Sequence, residues 1–134
     1  MLLSICIPTY NRVQNLDDCL NSIKISNSFN KKLDFEVCIS DNGSIENPSL
    51  IIEKYKRFFK IKFNRNKKNL GFALNAIKTV SMAEGKYIWM IGNDDLLLPQ
   101  TLKKLNDLLS NNSDTEFFFI NSYNLKMKFL ENLE

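Results

Sequence analysis

Tyr87-Ile88-Trp89-Met90-Ile91-Gly92-Asn93-Asp94-Asp95 passes in one step from five apolar side chains to a glycine and three polar ones. An uninterrupted apolar run of this length suits a strand covered on both faces, with Trp89 in the core. Downstream, Pro99 and the spacing of Leu102, Leu105 and Leu109 predict a helix. Upstream, Asn69-Leu70-Gly71 opens a helix carrying Leu74, Ile77 and Val80, which Gly85 is expected to close.

The same grammar recurs toward the N-terminus. Leu2 to Ile7 is an apolar run stopped by Pro8, which cannot donate to a sheet ladder. Thr9-Tyr10-Asn11-Arg12 follows, then a helix with Val13, Leu16, Leu20 and Ile23 on one side. Phe35 to Ser40 forms a second strand and runs into the turn formers Asp41-Asn42-Gly43-Ser44. Asn47-Pro48 marks a helix start with Leu50, Ile51, Tyr55 and Phe58 as its stripe. Ile61 to Asn64 is a short third strand, and Glu116 to Ile120 is expected to supply a fifth. Strands alternating with helices imply an α/β, three-layer α/β/α sandwich with a mostly parallel sheet, in the order 3-2-1-4. Ligands of such sheets bind beyond the C-terminal strand ends, where the polar clusters after strands one, two and four would meet.

Composition narrows the function. The 134 residues, 44% apolar and 25% charged, describe a single domain over 1–134. Residues 1 to about 122 are expected to form its core, with 123–134 as a tail or the start of a further half. The net charge of +3 is small and dispersed, which argues against nucleic acid. Arg65, Lys67 and Lys68 read either as an anion-attracting loop or as a solvated one. Cys6, Cys19 and Cys38, set among apolar neighbours, suit buried thiols of a reducing compartment. Without histidine, a bound metal must be held by carboxylates, which selects Mg2+ or Mn2+. Met1 to Ile7 is too short for a signal or a membrane span, so the expected location is cytoplasmic.

Asp94 and Asp95 emerge together as the strand leaves the core. A divalent cation would relieve their repulsion, although Asp95 could equally cap the helix that follows. The surrounding motifs favour the cation. Ser4 to Arg12, Glu36 to Ser44, Asn69-Leu70-Gly71 and Gly85 to Asp95, with Pro99 behind, resemble in order and spacing the N-terminal half of a family 2 glycosyltransferase of the GT-A fold. That is the Rossmann-like fold of nucleotide-diphospho-sugar transferases, here incomplete at its C-terminus.

The resemblance implies a nucleotide-diphosphate sugar, a UDP-sugar first, transferred to a glycan or lipid-linked acceptor in surface polysaccharide or lipo-oligosaccharide synthesis. Peripheral membrane association would belong to the full-length protein, at the inner face. By the same resemblance, Pro8, Thr9 and Tyr10 border the base and ribose, and Asp41 accepts a hydrogen bond from the base. Arg12, Ser44, Asn69, Gly71 and Asn93 complete the donor site, with Arg12 otherwise a solvated cation. Asp94 and Asp95 are the metal ligands, Asp94 standing at the last acidic place of the Asp-x-Asp motif. Gly92 stands where the commonest pattern has Asp.

Family members continue roughly a hundred residues or more further, a domain-sized unit that normally carries the acceptor site and the general base. No acid after Asp95 has the context of that base: Asp107, Asp114, Glu116, Glu131 and Glu134 fall on a helix, a turn and a tail. The catalytic residue is therefore left unassigned, and the alternative is a non-catalytic nucleotide-sugar-binding module or an inactive split-gene fragment. A doubly wound domain of dinucleotide type ranks last, because Pro8-Thr9-Tyr10 stands after strand one where Gly-x-Gly-x-x-Gly would be expected.

Overall fold

The computed structural model describes residues 1–30 and 32–122; the expected tail, with Glu131 and Glu134, lies outside them. Four strands alternate with four helices: β1 Leu3–Thr9, α1 Val13–Ser28, β2 Phe35–Asp41, α2 Ser49–Tyr55, β3 Lys60–Arg65, α3 Phe72–Ser81, β4 Tyr87–Met90 and α4 Thr101–Asn111. All pairings are parallel, and the order is β3-β2-β1-β4, as the pattern predicts. The register places Thr9 beside Asp41 and Asp41 beside Arg65, so the strand ends that carry the polar clusters share one edge.

The two faces of the sheet differ in kind. On one, Ile5 and Ile7 of β1 and Val37 and Ile39 of β2 pack with Leu16, Leu20 and Ile23 of α1 and Leu102, Leu105 and Leu109 of α4. Each fully buried Leu or Ile contributes about 1.5–3 kcal/mol relative to exposure. Ser22 and Ser26 tie this layer to the α4 approach by accepting from the backbone N–H of Leu97 and Leu102, both at 3.0 Å. On the other face α3 is the one helix among the described residues that packs across β1 and β2. The residues between are polar or small: Asn75 Nδ2 donates to Ser40 O at 2.9 Å, and Cys6 Sγ reaches Thr79 O at 3.9 Å.

Glu36 is fully buried on the same side. Its Oε1 accepts Ser4 Oγ at 2.8 Å and the Glu84 N–H at 2.7 Å, while Oε2 faces Lys62 at 3.2 Å and Lys60 at 3.5 Å. All three cysteines are free and buried, as expected.

Four expectations are corrected. α2 buries Ile52 and Tyr55 and packs Ile51 partly against the core, whereas Leu50 is exposed and Phe58 lies beyond the helix, which starts after Pro48 and ends at Tyr55. In α3 the sheet-facing residues are Asn75 and Thr79, whereas Leu74 and Ile77 point outward. Gly85 does not close α3, which ends at Ser81; a Cβ there would stand 2.6 Å from Ser4 N, so glycine is required for close approach to β1. The fifth strand does not form. Tyr87 Oη donates to Thr115 O at 2.7 Å and its ring meets Phe118 edge-on at 5.6 Å, but no strand among the described residues offers 116–120 a ladder. Phe117 and Phe119 are left exposed. Trp89 is partly buried against the core.

Candidate functional site

The first loop turns sharply at Asn11, whose φ of 52° falls in the left-handed region that Asn tolerates better than most residues. Its N–H donates to Ser44 Oγ at 2.7 Å and its Oδ1 accepts the Ile45 N–H at 2.9 Å, which binds the β1 loop to the β2 loop.

The β2 loop is itself held by Asp41. Asp41 Oδ2 accepts the Ser44 N–H and Arg65 Nε, both at 3.1 Å, and Oδ1 accepts Ser44 Oγ. Arg65 completes the clamp by donating from Nη2 to Ser44 O at 2.5 Å. The Asp41 carboxylate is fully buried, and both of its oxygens are engaged by this chain. Gly43 has a φ of 78°, and a Cβ on it would meet the Lys68 backbone at 3.0 Å, so glycine is needed there twice over.

Asn42 joins this turn to the segment before α3. Its Nδ2 donates to Asn69 Oδ1 at 2.8 Å and Gly71 O at 3.2 Å; its Oδ1 accepts the Leu70 N–H at 2.9 Å and Asn66 Nδ2 at 3.1 Å. That accounts for both donors and both acceptor positions of the amide. Asn66 bridges onward to Asn75 Oδ1 at 3.0 Å. Gly71, with φ of 85°, starts α3.

After β4, Gly92 N donates to Asp95 Oδ2 at 2.7 Å, closing a tight turn. Asn93 is buried, and its Nδ2 donates to Thr9 Oγ1 at 2.8 Å, stitching the end of β4 to the end of β1. Asp94 is half exposed and lies 3.3 Å from Arg12 Nη1. Beneath the turn, the Cys19 thiol is pushed up to about 12 by burial first and then by the charges of Asp95 and Asp94, so it stays protonated.

These loops enclose a cleft of about 510 Å³. Of the residues singled out from the sequence, Pro8, Thr9, Tyr10, Arg12, Asn69, Gly71, Asn93 and Asp94 line it. Asp41 and Ser44 lie behind the wall, and Asp95 braces the turn below. The sequence reading passed over Asn42, Phe72, Asn75 and Met90, which also line the cleft. Asn42 was visible only as a turn former, and Asn75 was masked by the apolar residues around it in α3.

Among the described residues, no group of three or more His, Cys, Asp or Glu could hold a metal by itself. Asp94 nonetheless fits a hard cation, because it is an oxygen ligand on the cleft wall folded over a glycine that leaves its carboxylate room. Magnesium-like ions are commonly held by one or two carboxylates, with substrate phosphates and water completing the shell.

Residues 4–131 match the family model described as glycosyl transferase family 2. The chain belongs to glycosyl transferase family 2. Within that family it is 42% identical over 116 residues to the abequosyltransferase RfbV of Salmonella typhimurium, covering 85% of this chain and 34% of that protein. The crystal structure of S. aureus TarS 1-349 in complex with UDP-GlcNAc superposes with a TM-score of 0.74 at 26% identity, over 84% of this chain and 32% of that one. The mannosyltransferase PcManGT from Pyrobaculum calidifontis, in complex with GDP-Man and Mn2+, shares the fold, with a TM-score of 0.68 at 18% identity over 81% of this chain and 32% of that one. The chain thus spans about a third of the length of each of these three proteins.

Proposed function

We propose that this chain is the donor-binding part of a transferase that takes a nucleotide-diphosphate sugar, a UDP-sugar first, and passes the sugar to a hydroxyl of a glycan or lipid-linked acceptor in surface polysaccharide or lipo-oligosaccharide synthesis. The observation that carries this is the pairing of Arg12 with Asp94 in the wall of a cleft at the C-terminal strand ends. A cation and a carboxylate side by side suit a metal-bound diphosphate. The names of the relatives support the choice of donor, since TarS is described with UDP and with UDP-GlcNAc. The whole of 1–134 is taken as one donor-binding domain, with its core over 1 to about 122.

In this reading Tyr10, 41% exposed at the cleft, offers its ring to the base, and Thr9 and Asn93 fix the floor on which the ribose rests. Asn69 and Gly71 form the opposite rim, set by Asn42. Asp41 and Ser44 act from behind, holding Arg65 and the turn that carries Asn42. Asp94 would hold Mn2+ or Mg2+ together with the diphosphate, while Asp95 maintains the turn that presents Asp94. The cation, when bound, supplies neutralisation of the charge that develops on the leaving diphosphate. Arg12 adds a permanent positive charge on the same side. Three buried free thiols suit the cytoplasm as the place of work.

Calorimetric titration of UDP and UDP-GlcNAc, with Mn2+ and with EDTA, tests the assignment. Binding that strengthens with Mn2+ in the parent chain and loses that gain in Asp94→Ala supports it. Metal-independent binding in both, or none in either, removes it. A donor-binding module without turnover is the second reading, favoured because Asp94 is the one carboxylate lining the cleft among the described residues and is already assigned to the metal.

A further inference from the structure

Cys6 and Cys38 take no part in the donor site, yet the sheet sets them side by side. They are register partners on the neighbouring parallel strands β1 and β2, and both are fully buried. Adjacent strands lie about 4.8 Å apart, inside the Cα separation of about 4.4–6.8 Å that a disulfide spans. Paired positions project to the same face of the sheet, so the two thiols meet beneath α3. The Cys38 thiol donates to Cys6 Sγ, which holds the Cys6 thiol below its ordinary value against burial and the charge of Glu36. The same hydrogen bond and burial push the Cys38 thiol up, with Lys62 acting the other way.

The cover over this pair is held by a few polar contacts. α3 places no residue in the apolar core. Asn75 Nδ2 donates to Ser40 O, Asn75 Oδ1 accepts Asn66 Nδ2 at 3.0 Å, and Lys62 Nζ donates to Met82 O at 2.9 Å where the helix ends. Cys6 Sγ itself donates to Thr79 O at 3.9 Å. A helix held in this way opens at lower free energy than the core behind it, and its opening uncovers both thiols at once. Cys19 is the internal contrast, because it is buried in the apolar core on the other face of the sheet.

We infer that Cys6 and Cys38 form a modification site, a dithiol that a peroxide converts to a reversible intramolecular disulfide when α3 lifts. The steps balance. The Cys6 thiolate attacks one peroxide oxygen, the O–O bond breaks, water leaves, and a sulfenic acid remains on Cys6. Cys38 then attacks that sulfur, the S–O bond breaks, and the hydroxyl departs as water with the Cys38 proton. Two thiols lose two electrons, and one hydrogen peroxide is reduced to two waters. The link also removes the proton that Cys6 donates to Thr79 O, and a thiol reductant reverses it.

The test treats the 134-residue chain with hydrogen peroxide, blocks the remaining thiols and maps its peptides by mass spectrometry without reduction. We expect the peptides that carry Cys6 and Cys38 to be linked, the link to be removed by dithiothreitol, and Cys19 to stay a free thiol. In Cys38→Ser the sulfenic acid on Cys6 has no resolving thiol, so dimedone traps it at least about tenfold more than in the parent. Asn75→Ala, which loses two of the contacts that hold α3, forms the link about tenfold faster while its circular dichroism stays that of the parent. A folded parent chain that forms no Cys6–Cys38 link overturns the proposal. So does a link that appears only together with oxidation of Cys19, because access then comes by global unfolding. An equal rate in folded Asn75→Ala overturns the gating by α3. No nucleotide enters the measurement, so its outcome is independent of the donor reading.

Discussion

Asp94 folds over Gly92, with Oδ1 2.8 Å from the point a Cβ on residue 92 would take. The acidic residue that the commoner family pattern carries at this position would displace Asp94 and place a further negative charge against it. Gly92 and the Asp94 position are therefore one arrangement, and Arg12 balances the single carboxylate left on the cleft wall. In Gly92→Ala the added methyl shifts Asp94 from Arg12, and UDP affinity in Mn2+ falls roughly tenfold, about 1.4 kcal/mol. Affinity in EDTA stays as in the parent. Calorimetry in the two buffers reads both, and an unchanged affinity in Mn2+ refutes the coupling.

Asn42→Asp replaces an amide whose donors reach Asn69 and Gly71 with a carboxylate facing the same two acceptors. The loss of two hydrogen bonds and the new repulsion lower stability by about 2–3 kcal/mol. Urea denaturation measures this. Because the 69–71 rim loosens, nucleotide binding weakens with it, whereas a purely global effect would leave affinity intact at low temperature, where the variant is folded.

The cleft was partly legible in the residues. β1 and β2 could be read because buried parallel strands are apolar throughout and each ends in turn formers; β4 was found by the same run, but the expectation that it is covered on both faces fails, since Ile88 and Met90 stand half exposed among the described residues. The polar brace behind the wall could not be read, since nothing in the spacing of Asp41 and Arg65 says that they lie side by side on neighbouring strands. α3 misled for a physical reason: apolar periodicity signals burial only when a helix rests on an apolar surface, and β1 and β2 offer it Ser4, Glu36 and Ser40. The run 116–120 has strand chemistry but lacks a ladder partner.

Gly85→Ala and Gly71→Ala separate two uses of glycine. At Gly85 the methyl meets backbone atoms of Leu3 and Ser4 within 2.7 Å, so β1 or the approach to β4 must move, at about 2–3 kcal/mol. At Gly71 there is open space, but φ of 85° with ψ of 159° is a conformation essentially reserved for glycine, and the strain is about 1–3 kcal/mol. Thermal denaturation finds both variants destabilised; a Gly85→Ala chain as stable as the parent counts against the close-approach account.

Glu36 makes stability fall in acid. Burial raises its pKa, but the Glu84 N–H, the Ser4 hydroxyl and Lys62 outweigh this and hold it below the ordinary carboxylate value of 4.5. With the folded value below the unfolded one, its contribution is fully present above pH 4.5 and is lost as pH drops through the folded value. Glu84, held down by Lys62 and Lys60, titrates in the same direction. Glu36→Gln is therefore less stable than the parent near neutral pH, and the gap narrows as pH falls below 4.5. Parallel pH curves for the two proteins would contradict this.

No residue of α3 belongs to the apolar core, which lies wholly on the side of α1, α2 and α4. The molecule thus has an order in time as well as in space. The α1 side can condense by hydrophobic collapse alone, whereas α3 docks only when Asn75, Thr79 and their partners are aligned. In hydrogen exchange the α3 amides then open as their own unit, at lower free energy than those of β1 and α1. One rim of the cleft, Asn69 to Gly71, sits at the start of that unit, so the cleft can breathe while the core stays closed.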